Sequence, residues 1–121
     1  MARKKILIIE DSIEIVKVME IRLKSTGFDT VVAYDGAKGW EMVKNENPDL
    51  VILDLILPVV DGYEVCKLIK GNKQTEKIPV LIVSAKAMIK DLDKGFGVGA
   101  DDYIIKPYDW DNLLTKIHKL L

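Results

Sequence analysis

Short apolar runs recur along this chain, and most stop at a charged or hydroxyl-bearing residue; that punctuation constrains the fold more than any other feature. Lys5-Ile6-Leu7-Ile8-Ile9 is short, rich in β-branched residues and continuously apolar, as in a strand covered on both faces, and it ends in Glu10-Asp11. Thr30-Val31-Val32-Ala33 is a second run, and Leu50-Val51-Ile52-Leu53 a third that stops at Asp54. Ile78 to Val83, entered through Pro79, stops at Ser84, and Tyr103-Ile104-Ile105 is followed by Lys106-Pro107.

The segments between the runs carry helical spacing. Ser12 can cap a helix to about Ser25, with Ile15, Val16, Met19 and Leu23 on one side and Gly27 as its stop. Asp35-Gly36 turns the chain, and Ala37, Trp40 and Val43 mark a second helix, broken by Pro48. After a loop with Pro58 and Asp61-Gly62, Val65, Cys66 and Ile69 give a third. Residues 86–96 form a fourth predicted helix, weakened by glycines at 95, 97 and 99. Trp110, Leu113, Leu114, Ile117 and Leu121 lie on one face of a fifth. Strand and helix thus alternate, which predicts an α/β fold with a parallel sheet and helices on both faces. With 121 residues and no internal linker or repeat, one domain over residues 1–121 is expected.

A net charge of -1 with mixed signs makes no case for a nucleic-acid or membrane partner. Cys66 is the single cysteine, so no intrachain disulfide can form; with no leader and no spanning run, a cytoplasmic location is expected.

In an open parallel sheet, ligands sit beyond the carboxyl ends of the strands. Glu10, Asp11, Asp54, Ser84 and Lys106 all fall there. Three converging carboxylates repel one another and raise one another's pKa unless a positive charge intervenes. A hard divalent cation such as Mg²⁺, which keeps several waters and takes a few oxygen ligands, meets that need, and Lys106 adds an ammonium. Such a set suits a phosphoryl group, and an Asp carboxylate can itself be the nucleophile that forms an acyl phosphate.

Ordered blocks at the strand ends then resemble the response-regulator receiver domain of two-component signalling: Glu10-Asp11; Asp54-Leu-Ile-Leu-Pro58-Val-Val-Asp61-Gly62; Ser84-Ala85; and Gly99-Ala100-Asp101-Asp102-Tyr103-Ile104-Ile105-Lys106-Pro107-Tyr108. The resemblance implies a flavodoxin-like (βα)5 three-layer sandwich with strand order 2-1-3-4-5. It implies that Asp54 accepts phosphate from a histidine kinase or phosphotransfer protein. Asp11, Asp54 and the Ile56 carbonyl would bind Mg²⁺, with Glu10 holding a metal-bound water. Lys106 and Ser84 would contact the phosphoryl oxygens, and Tyr103 would be an aromatic switch that turns inward when Ser84 moves. A cis Lys106-Pro107 bond is expected. Ile56 and Lys86 occupy the positions that tune phosphoryl lifetime; apolar Ile56 cannot orient water, which predicts slow hydrolysis of the aspartyl phosphate. Signal would leave through helix 4, strand 5 and helix 5, around Lys90, Lys94, Tyr108 and Lys116, to a downstream protein, a covalently linked output domain or a second copy in a homodimer.

Blander readings stand beside these. Glu10-Asp11 alone suits a strand-to-helix turn, and Tyr103 alone suits packing. Asp101-Asp102 look like a metal pair but are expected to face solvent or hold a turn. Gly95-Phe96-Gly97-Val98-Gly99 precedes a strand, which excludes a dinucleotide fingerprint. His118 is expected on the surface, and Trp40 and Trp110 in packing. The competing functions are a phosphate-independent interaction module, a phosphatase with an Asp nucleophile, and a flavin mononucleotide carrier. The phosphatase wants an acid where Ile56 stands, and the carrier wants a hydroxyl-rich loop where Glu10-Asp11 stand.

Overall fold

The apolar runs do become strands. In the computed structural model, which describes residues 3–121, β1 (Lys5–Ile9), β2 (Asp29–Ala33), β3 (Leu50–Leu53), β4 (Val80–Ser84) and β5 (Asp102–Ile105) form one parallel sheet in the order β2-β1-β3-β4-β5. Between and after them lie α1 (Ile13–Ser25), α2 (Gly36–Glu46), α3 (Gly62–Lys70), α4 (Ile89–Gly97) and α5 (Trp110–Leu120). This is the flavodoxin-like (βα)5 arrangement.

Continuous apolarity of the central strands has a direct cause: both faces of the sheet are covered. Leu7, Ile9, Val51, Leu53, Val80 and Ile82 pack with Val43, Val65, Cys66 and Ile69 of α2 and α3. Their neighbours Ile6, Ile8, Leu50, Ile52, Leu81 and Val83 pack with Val16, Met19, Leu23, Leu113 and Ile117 of α1 and α5. Each buried aliphatic side chain contributes roughly 1.5–3 kcal/mol of transfer free energy. Trp40 and Trp110 are half-buried against these two layers, in the packing role expected of them.

Helix starts are set by side-chain caps. Ser12, Asp35 and Asp61 accept from the backbone N–H groups of Ile15, Lys38 and Glu64, at 3.4, 2.7 and 3.1 Å. Gly27, with φ +105°, follows α1 in the left-handed region as its stop.

Two boundaries differ by more than one residue from those read in the sequence. β4 begins at Val80 rather than Ile78, because the Ile78 N–H is used in a turn to the Thr75 carbonyl and Pro79 has none to give. α4 begins at Ile89 rather than 86: the Lys86 N–H donates to Ser84 Oγ, and the Met88 N–H to the Asp91 carboxylate. Residues 85–88 are therefore a loop leaving the end of β4.

Candidate functional site

Strand register brings the polar residues together. Ile9 pairs with Leu53 in adjacent strands, so Glu10 and Asp54 leave the sheet side by side. The Asp54 N–H donates to the Ile9 carbonyl, locking that level. Ser84 pairs with Ile105, and the Lys106 N–H donates to the Ser84 carbonyl. The Lys106 side chain reaches back past β4, and its Nζ donates to Glu10 Oε1 at 2.5 Å and to Asp54 Oδ2 at 3.0 Å. The Lys106-Pro107 peptide bond is cis.

Asp11 completes the group: Glu10, Asp11 and Asp54 each place one carboxylate oxygen within 4.8 Å of the others. Glu10 is buried and Asp11 exposed, so the cluster opens to solvent on one side. Burial raises the pKa of Glu10, its bond to Lys106 opposes this, and the charge of Asp54 adds to it. Burial pulls the Lys106 ammonium down, but its bonds to Glu10 and Asp54 outweigh that and hold it above the ordinary value. Three carboxylates against one ammonium leave the site net negative, and the all-oxygen donor set fits a hard divalent cation.

Two glycines let the loop after β3 pack closely against its neighbours. A Cβ on Gly62 would lie 2.2 Å from the Asp54 carbonyl oxygen, and one on Gly36 1.8 Å from that of Val60. Ile56 is exposed at the rim, its N–H donating to Asp54 Oδ1 at 3.2 Å. Val59 has φ 73°, a left-handed conformation that a β-branched residue rarely adopts.

Ser84 is fully buried at the end of β4. Tyr103 points inward, its hydroxyl donating to the Lys86 carbonyl at 2.7 Å. Burial pushes that hydroxyl up to about 12. The seat for the ring is Gly95, where a Cβ would lie 3.2 Å from ring carbons. By spacing alone the glycines of this segment weaken its helix; Gly95 is instead a close contact, which only the sheet partner of that helix reveals.

Lys94 leans over the ring of Tyr63 at 4.3 Å, towards α3. Tyr108 faces α1, lining a cavity of about 690 Å³ with Ile15, Val18, Met19, Arg22 and Trp110. Lys116 bridges α5 to β5, through Asp102 at 3.0 Å. Asp101 is more than a turn residue: its carboxylate accepts from Val80 N–H and Lys70 Nζ, at 2.8 and 2.7 Å, bracing the start of β4. His118 is exposed, its ring tilted on that of Phe28.

Residues 6–118 match the response regulator receiver domain family. The chain is 42% identical over 117 residues to the DNA-binding dual master transcriptional regulator RpaA of Synechocystis, covering 97% of this chain and 48% of that protein. It is 39% identical to the response regulator ArlR of Staphylococcus saprophyticus, covering 97% and 52%. The chain thus spans about half the length of the curated relatives it matches. Among solved structures, chemotaxis protein CheY4 of Vibrio cholerae superposes with TM-score 0.92 at 27% identity, covering 99% of this chain and 100% of that one. The BeF3-activated receiver domain of Klebsiella pneumoniae RstA gives 0.89 at 29%, covering 96% and 97%. Among the described residues, no helix is long and apolar enough to cross a membrane.

Proposed function

The chain belongs to the response regulator receiver domain family of two-component signalling, and from that premise we propose that Asp54 is its phosphoacceptor and that residues 1–121 form one receiver unit. The observation that carries the assignment is Lys106 Nζ held between Glu10 and Asp54, with Asp11 beside them at the carboxyl edge of the sheet.

The site would take Mg²⁺ on Asp11, Asp54 and the Ile56 carbonyl, with Glu10 holding a metal-bound water. The cation's contribution when bound is charge neutralisation across the incoming phosphoryl oxygens. A carboxylate oxygen of Asp54 attacks phosphorus, the bond from phosphorus to the donor's histidine nitrogen or acyl oxygen breaks, and the donor leaves with that electron pair. Lys106 exchanges its bond to the Asp54 carboxylate for one to a phosphoryl oxygen. Ser84 offers a hydroxyl to another, and Tyr103, already inward and tied to the Lys86 carbonyl, would report the movement of Ser84.

The phosphodonor would be a histidine kinase or phosphotransfer protein in the cytoplasm. Ile13, Val18 and Ile21 are apolar yet exposed on α1, and the 690 Å³ cavity runs from that helix to Lys106. Of these, Val18 also lines the cavity, with Ile15 beside it, and this part of α1 leading to Lys106 is the proposed donor seat. The relatives' greater length favours a covalently linked output domain as the receiver of the signal.

Intact-mass spectrometry after incubation with acetyl phosphate tests the reading. One added phosphoryl group that requires both Mg²⁺ and Asp54, and is absent in Asp54→Asn, is expected. No adduct from acetyl phosphate or a kinase donor, in folded protein that binds Mg²⁺, would leave an interaction module.

A further inference from the structure

Lys86 stands two residues beyond Ser84, at the mouth of the site, and its backbone is held from both sides. Its N–H donates to Ser84 Oγ at 3.3 Å, and its carbonyl accepts from the Tyr103 hydroxyl at 2.7 Å. β4 neighbours β3, with Ile82 level with Leu53, so the side chain leaves the sheet one strand from Asp54. The ammonium has two competing destinations. One is the carboxylate group, net negative and attractive to any cation nearby. The other is the ring of Tyr63. The structure has it at the ring: Lys86 Nζ is 5.4 Å from the Tyr63 centroid, and among the described residues Lys86 forms no salt bridge.

Tyr63 is well fixed for this purpose. It is buried, it follows Gly62, where an added Cβ would meet the Asp54 carbonyl, and its hydroxyl donates to the Asp91 carbonyl of α4 at 3.3 Å. Its π system is electron-rich and attracts ammonium groups, and the Lys94 ammonium of α4 lies over the same ring, 4.3 Å from its centroid.

We propose that Tyr63 is a positioning residue for phosphorylation: its ring holds the Lys86 ammonium away from the three carboxylates and thereby slows capture of phosphate by Asp54. This rests on Asp54 being the phosphoacceptor. Released from the ring, Lys86 joins Lys106 beside the carboxylates. The site becomes less negative, an anionic donor is repelled less, and the equatorial oxygens gain a second ammonium. Because Tyr63 also contacts Asp91, the ring ties this restraint to α4.

Two measurements on the full chain test it. The first is NMR of the Lys86 Cε methylene, assigned with Lys86→Met. An upfield ring-current shift in wild type that persists in Tyr63→Phe and vanishes in Tyr63→Leu is expected; its absence in wild type overturns the proposal. The second is the initial rate of labelling by acetyl phosphate with Mg²⁺. Tyr63→Leu is expected to label about two- to five-fold faster than wild type, the size of one exposed cation–π contact. Tyr63→Phe, which keeps the ring, should label like wild type. In a Lys86→Met background the Tyr63→Leu change should have no effect. An equal change in both backgrounds, or none in either with the fold intact by circular dichroism, overturns the proposal while leaving Asp54 as acceptor. A wild type with the ring-current shift but no phosphate uptake from any donor strikes the phosphoacceptor reading, and this one with it.

Discussion

Lys106 Nζ lies between Glu10 Oε1 and Asp54 Oδ2, so one ammonium bridges residues that come from two different strands. That single charge leaves the carboxylates Glu10, Asp11 and Asp54 short of neutrality. Mg²⁺ is therefore expected to stabilise the fold. At about 100-fold its Kd a ligand of the native state adds ~2.7 kcal/mol. Thermal melts with increasing Mg²⁺ should shift upwards, and the shift should shrink sharply in Asp11→Asn. An unchanged melting temperature across the titration counts against a cation site here.

Ile56 sits exposed at the rim with no group able to orient water. Ile56→Asn is expected to shorten the lifetime of the phosphoryl group on Asp54. Mass spectrometry after removal of acetyl phosphate would follow the decay, and an equal decay rate in the two proteins refutes the expectation.

Val59 is strained and 78% exposed, so little packing repays its left-handed backbone. Asn tolerates that conformation far better. Val59→Asn should stabilise the protein by about 1 kcal/mol, at the low end of the cost of such strain. Urea denaturation reads this directly; a midpoint at or below that of wild type shows that the strain is relieved by other means.

Cys66 is fully buried, and burial pushes its thiol up to about 11 from an ordinary value of 9.0, Lys70 opposing and Asp101 adding to the shift. The folded state therefore keeps the proton longer than the unfolded chain. The associated stability is present in full below pH 9 and is lost as pH rises through 9 towards 11. By about pH 10.5 the loss is on the order of 2 kcal/mol. Cys66→Ala cannot ionise there, so its stability should fall less than that of wild type between pH 8 and 10.5. Parallel losses would place the pH dependence in the buried tyrosines instead.

The exposed apolar side chains of α1 supply a separable test of donor docking. Val18→Arg, at a position 57% exposed, should leave the fold and labelling by acetyl phosphate intact while slowing transfer from a phosphorylated kinase ten-fold or more, about the loss of a contact worth ~1.4 kcal/mol. Equal slowing with both donors would mean that the substitution disturbs the site itself.

The chain sequence by itself determined the strand count, the parallel sheet and the residues at its carboxyl edge. Buried parallel strands must be apolar throughout, so Glu10, Asp54, Ser84 and Lys106 stand out wherever such a run ends. The family blocks carried the strand order and the cis peptide bond, both present in the structure. Tertiary structure alone decided which partner each long or aromatic side chain chose. Lys106 could have faced solvent, Asp101 could have held only a turn, and Lys94 could have stood on the outer face of α4. Instead, ammonium groups went to carboxylates and ring faces brought near by other elements. Periodicity records which side of an element is buried, but it does not record what lies across the gap. The same holds for Gly95: its need for no side chain arises from the Tyr103 ring, which comes from another strand.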